Sequence, residues 1–202
     1  MTPALIEIGQ AQAPRAGENE SGDRCVHWQA GQRALVAVID GVGHGREAAE
    51  AAAVAAKVLE GHRDESLSRL LKLCHEKLAA TRGAAITLTL FDGSDGMLRW
   101  VGAGNVAAML LHTEPSGNTR LRELFVRSGV AGVSLPSTEV SSTALSRGDI
   151  VVLATDGLRP AFMDRVDRLA RPQPLAERLL AEFGTQSDDA LVVVVRHVGA
   201  RQ

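Results

Sequence analysis

Residues 35–39, Leu-Val-Ala-Val-Ile, form an unbroken apolar run that stops at a carboxylate, Asp40, and passes through Gly41, Gly43 and Gly45 into a segment crowded with alanine. A short apolar run bounded by turn residues and rich in β-branched side chains predicts a buried strand. Alanine is the best helix former, so residues 46–60 predict a helix, and their small side chains let it lie close to a sheet. Three glycines within five positions allow the backbone after Asp40 to approach something small. The pattern recurs twice. Asp156 ends the apolar run 151–155, and Asp188 and Asp189 precede the run 190–195. Hard cations such as Mg²⁺ and Mn²⁺ prefer carboxylate, carbonyl and water oxygens, so acids at several strand ends point to a divalent metal site.

Periodicity supplies the rest of the architecture. Strands are predicted at residues 5–9, 25–29 and 33–39, with the polar stretch 11–22 as a loop between the first two. Leu67, Leu70, Leu71, Cys74 and Leu78 recur at helical spacing and predict a helix over 66–80. The period then changes: Ile86, Leu88 and Leu90 alternate with Thr87 and Thr89, which is strand spacing. Further strands are predicted at 97–101, 106–112, 121–126, 149–155 and 190–197, and a helix at 174–183. Runs of strands with helices set apart from them predict an α+β fold of antiparallel sheets rather than βαβ alternation. A length of 202 residues fits a single compact domain, 1–202, with a substantial core. Only 3% of residues are aromatic and none is tyrosine, so Ala, Val and Leu must fill that core.

A net charge of −2 and the lack of basic stripes argue against nucleic acid or an anionic membrane as partner. Two cysteines, Cys25 and Cys74, are too few for a disulfide framework or a zinc cluster. Residues 1–10 lack the pattern of a signal peptide, and no apolar run reaches membrane-spanning length. The expected location is cytoplasmic.

Ser21-Gly22-Asp23, Asp40-Gly41-Val42-Gly43-His44-Gly45, Thr155-Asp156-Gly157 and Asp188-Asp189 occur in the order found in metal-dependent protein phosphatases of the type 2C class. The stretch Glu47-Ala48-Ala49-Glu50-Ala51-Ala52 and the segment Val101-Gly102-Ala103-Gly104-Asn105-Val106 resemble its bacterial SpoIIE branch, and above all the compact RsbX-type phosphatases of stressosome signalling. The resemblance covers about residues 23–195. It implies a four-layer α-β-β-α sandwich. It also implies two Mn²⁺ or Mg²⁺ ions bridged by Asp40, with the carbonyl of Gly41, Asp156, Asp188 and the early acid Asp23 serving the same centre. In that family a metal-activated water attacks phosphorus in line, with no phosphoenzyme, and the substrate is phosphoserine or phosphothreonine on a protein. The implied partner is a small phosphorylated regulator, such as a STAS-domain stressosome or anti-anti-sigma protein. The chain departs from eukaryotic members in two ways. Val42 stands where they carry a histidine that can protonate the leaving alkoxide, with His44 two positions further on. No clear match to their phosphate-gripping arginine is seen near the N-terminus.

Each of these acids has a plainer reading. Asp and Gly are the usual turn residues after any strand, so it is the constellation of four acidic positions that carries the metal reading. Asp189 is read as a supporting partner of Asp188. Asn105 is read as a tight-turn residue, and His44 as a loop or helix-start residue. Two alternatives compete with the phosphatase. One is a GHKL-type ATP-binding serine kinase, whose Asp-x-Gly-x-Gly box resembles residues 40–44. It needs an upstream helix bearing an Asn and leaves Asp156 and Asp188 without roles. The other is a pseudophosphatase that only binds a phosphoprotein.

Overall fold

The computed structural model describes residues 4–113 and 119–199. Ten strands and three α-helices follow in the order β1 (Ile6–Ala13), β2 (Asp23–Ala30), β3 (Arg33–Gly41), α1 (Gly45–Gly61), α2 (Leu67–Leu78), β4 (Ala84–Asp92), β5 (Met97–Ala103), β6 (Ala107–Thr113), β7 (Thr119–Glu123), β8 (Ser141–Ala144), β9 (Ile150–Ala154), α3 (Pro172–Phe183) and β10 (Ala190–His197). A 3-10 helix, Pro160–Arg165, precedes α3. The strands form two five-stranded sheets, ordered β1-β10-β9-β6-β7 and β2-β3-β4-β5-β8. Every named strand pair is antiparallel.

The layers follow from which residues of each strand share a face. In β3, Leu35, Ala37 and Ile39 pack with α1 and α2. Ala34, Val36 and Val38 join Val151, Leu153, Leu191, Val193 and Val195 of the other sheet. In β10 the remaining residues, Ala190, Val192 and Val194, pack with Leu175, Ala176 and Leu179 of α3. The central strands are therefore covered on both faces, and the order is helices, sheet, sheet, helix. The antiparallel α+β fold is the one the residue patterns predict, and its four layers are those the family resemblance implies. Alanines 48, 51, 52 and 55 of α1 are fully buried against the sheet, so the helix approaches it closely, as small side chains allow.

Thr87 and Thr89 point between the sheets rather than into solvent. Burial of a hydroxyl requires a partner, and each has one: Thr87 Oγ1 donates to the Val106 carbonyl (3.3 Å) and Thr89 Oγ1 to that of Val36 (2.9 Å). Cys25 and Cys74 are free thiols, each pushed up to about 12 by burial. Among the described residues no helix is long and apolar enough to cross a membrane.

Most strand and helix ends fall within two residues of the sequence expectation, and three strands depart further. The stretch 11–22 is not all loop, because β1 continues to Ala13, paired with Ala190 of β10. The seventh strand ends at Glu123 rather than at residue 126. β8 was not expected at all, since its Ser-Ser-Thr-Ala sequence carries no apolar signal.

Candidate metal centre

Asp40 continues the face of β3 that points between the sheets, one residue before the strand ends. Asp23 opens β2 and lies directly opposite Asp40 in the antiparallel pair. Opposed residues share a face, with Cβ atoms about 4.5–5.5 Å apart, and like charges placed so are destabilising. From the other sheet, Asp156 follows the end of β9 and Asp188 precedes the start of β10. Asp40, Asp156 and Asp188 line one cleft of about 430 Å³, together with Val42, Gly43, His44, Ala85, Gly104, Asn105 and the loop 128–130. Asp23 is buried behind it, 4% exposed.

Gly41 is buried beside Asp40, and its main chain lies against α1. A Cβ there would stand 2.2 Å from the Ala48 carbonyl oxygen, so only glycine lets β3 run this close to the helix. The strand end is fixed further by Gly41 N donating to the Gly22 carbonyl (3.0 Å).

Three polar residues hold the acids. Thr155 Oγ1 donates to Asp23 Oδ2 (2.7 Å) and accepts from Leu191 N (2.9 Å), tying one sheet to the other. Asn105 Nδ2 donates to Asp156 Oδ2 (2.7 Å). Asp189 is buried and turned away from the cleft; its two oxygens accept from Arg15 N and Gly22 N, both at 2.8 Å. It anchors the loop between β1 and β2, and its own N–H donates to Asp188 Oδ1 (2.9 Å). Sequence reasoning missed Asn105 as a partner of Asp156 and gave Thr155 no role. Their only sequence signal is position, at strand ends that meet the same end of the sandwich as Asp40.

Crowding shows in the electrostatics. Burial, followed by the charges of Asp23, Asp156, Asp188 and Asp189, pushes Asp40 from 3.8 up to about 8. Burial likewise raises Asp23 to about 7. The Thr155 hydrogen bond opposes that rise, and Asp189, Asp156 and Asp188 add to it. Asp156 is raised by burial and by Asp188, against the hydrogen bond from Asn105. Acids that resist ionising beside one another at neutral pH suit a divalent cation, which supplies the missing countercharge. The donors are all oxygen, as hard cations prefer. Among the described residues no three His, Cys, Asp or Glu side chains close a ligand cage by themselves. An ion that keeps several waters, as Mg²⁺ does, needs no such cage.

A family model, Stage II sporulation protein E (SpoIIE), matches residues 30–198. The chain belongs to the SpoIIE family. Its enzyme class is that of the metal-dependent serine/threonine protein phosphatases. No curated protein matches the chain. Among solved structures, one described as "The bacterial stressosome: a modular system that has been adapted to control secondary messenger signaling" is 27% identical, with a TM-score of 0.84 over 95% of this chain and 99% of that one. RsbX in complex with magnesium is 20% identical, with a TM-score of 0.82 over 95% of this chain and 94% of that one. The catalytic domain of the serine/threonine phosphatase PstP, in complex with two manganese ions, is 15% identical, with a TM-score of 0.68 over 96% and 98%. SpoIIE membership and the two-sheet sandwich exclude the GHKL kinase reading.

Proposed function

We propose that this SpoIIE-family phosphatase removes phosphate from serine or threonine of a small phosphorylated signalling regulator, of the STAS-domain stressosome or anti-anti-sigma kind. The convergence of Asp40, Asp156 and Asp188 from both sheets on one cleft carries the chemistry. The similarity to stressosome-related structures over nearly the whole length of each chain supports the choice of substrate.

Asp40, the carbonyl of Gly41, Asp156, Asp188 and Asp23 are the residues that would hold two Mg²⁺ or Mn²⁺ ions. Bound there, the ions supply a nucleophilic water at neutral pH and neutralise charge developing on the phosphoryl group. The chain's own residues do the positioning. Asn105 fixes the carboxylate of Asp156, Thr155 that of Asp23, and the Asp188–Asp189 turn sets the entry to β10. No arginine or lysine is among the described residues lining the cleft; the guanidinium of Arg82 stands at its wall, beside Gly43 and paired with Glu47.

The test is turnover of a phosphoserine STAS protein by purified protein with Mn²⁺, compared with Asp40→Asn. We expect metal-dependent release of phosphate by the wild type and a loss of at least about a hundred-fold in the variant, the scale of one electrostatic group at a transition state. Wild-type turnover in Asp40→Asn would remove Asp40 from the site. Calorimetry showing phosphoprotein binding without Mn²⁺ uptake would mark a binding module instead.

A further inference from the structure

We infer that His44, held by Glu18, is the proton donor to the leaving serine or threonine oxygen; this rests on the phosphatase reading above. Val42 occupies the place two residues after Asp40 and cannot transfer a proton. Among the described residues that line the cleft, His44 is the only side chain able to carry positive charge or to donate a proton as an imidazolium.

The local structure frees this histidine from other work. It is the N-cap of α1, where Ser, Thr, Asp or Asn is preferred, yet its side chain makes no capping bond. Its Nδ1 lies 2.9 Å from Glu18 Oε1. An ionised carboxylate only accepts, so the ring proton of that contact sits on Nδ1. Nε2 is then the ring nitrogen left free to face a substrate, with no hydrogen-bond partner among the described residues.

The arrangement is built from both sides. Gly45 has φ +69°, and a Cβ there would meet Glu18 Oε2 at 2.9 Å, so its bare backbone is what admits the carboxylate. Glu18 rides on the loop that Asp189 pins through Arg15 N and Gly22 N, braced by Glu18 N donating to the Arg15 carbonyl (3.0 Å). The charged groups around the ring are Glu18, the Arg82–Glu47 pair beside Gly43, and Asp40, Asp156 and Asp188 across the cleft.

The step balances. A water oxygen forms the new bond to phosphorus as the P–Oγ bond breaks, and Oγ leaves with the bonding electrons. The alkoxide takes the proton from Nε2 of the His44 imidazolium and departs as the serine or threonine hydroxyl. The proton shed by the attacking water passes to solvent, from which His44 is reprotonated. His44 is the catalytic acid, and Glu18 is a positioning residue that fixes its tautomer.

An alkoxide needs this proton and a nitrophenolate does not, so the test compares leaving groups. His44→Gln, assayed with Mn²⁺, should lose about a hundred-fold in kcat on a phosphoserine peptide, the usual scale of general acid catalysis, and far less on p-nitrophenyl phosphate. Glu18→Gln should give the same split to a smaller degree, and Glu18→Asp should recover part of it. A merely structural ion pair would lower both substrates alike. Equal losses on the two substrates, or no loss on either, overturn the assignment while leaving the phosphatase reading intact. A wild type inactive on both overturns the two together.

Discussion

At the scale of single residues, the centre is a set of acids that the fold crowds before anything compensates them. Asp40 and Asp23 have folded values of about 8 and about 7, far above the ordinary 3.8. The native state therefore holds more protons than the unfolded chain between about pH 4 and pH 8, and linkage makes the metal-free protein lose stability as pH rises through that window. We expect its Tm in EDTA to fall from pH 5 to pH 8, and to recover with Mn²⁺ by a larger amount at pH 8 than at pH 5, since an ion that binds only the native state stabilises it. Asp40→Asn should flatten the EDTA profile. A metal-free Tm that climbs over the same interval would contradict the crowding described for Asp40 and Asp23. Asp40, Asp156 and Asp188 were legible in the sequence because each ends or precedes an apolar run, whereas Asp23, followed by Arg24 and Cys25, was reached only through the family resemblance. Asn105 and Thr155 were not legible. An amide after a glycine and a hydroxyl at a strand end look like turn chemistry until the other sheet is in place.

At the scale of elements, the close approach of α1 to β3 depends on alanine. Ala55 is fully buried, and its carbonyl receives a weak contact from Cys74 Sγ of α2 at 3.9 Å. Ala55→Leu would force extra methylenes into a filled interface and should cost about 1–3 kcal/mol. At roughly 2–4 °C per kcal/mol for a chain of this size, a thermal melt will read it. An unchanged Tm would show that the helix can lift from the sheet at no expense. Elements with strong periodicity, such as α2 and β4, could be read from sequence alone. β8 could not, because its four residues are almost wholly exposed and it is specified by its partner β5, through pairs such as Leu98 with Thr143. The end of β1 was hidden for the same reason: polar Gln10 and Gln12 alternate with small residues, and the strand persists because β10 supplies the pairing.

At the scale of the whole molecule, the two sheets meet through an apolar interior that Thr155 closes at the acidic end. Its hydroxyl serves both Asp23 and Leu191 N. Thr155→Val keeps the shape and removes both bonds, leaving a buried amide unpaired, which should cost about 1–3 kcal/mol. Because that hydrogen bond opposes the upward shift of Asp23, the variant should also bind Mn²⁺ more weakly. Denaturant melts and calorimetry measure the two effects, and unchanged metal affinity would show that Asp23 lies outside the ion's reach.

Among the described residues, two open sheets leave four strands with one side not paired to another strand: β1 and β7 in one sheet, β2 and β8 in the other. Such a border is a template on which another chain could add a strand, but on β1 the Gln173 side chain of α3 already takes both main-chain groups of Gln10. Here β8 is only four residues long, β7 carries Arg120 and Arg122, and β2 carries Arg24 and His27. Brevity and charge of this kind discourage fibril-like stacking of sheets whose interior strands, such as β9 and β10, are largely aliphatic.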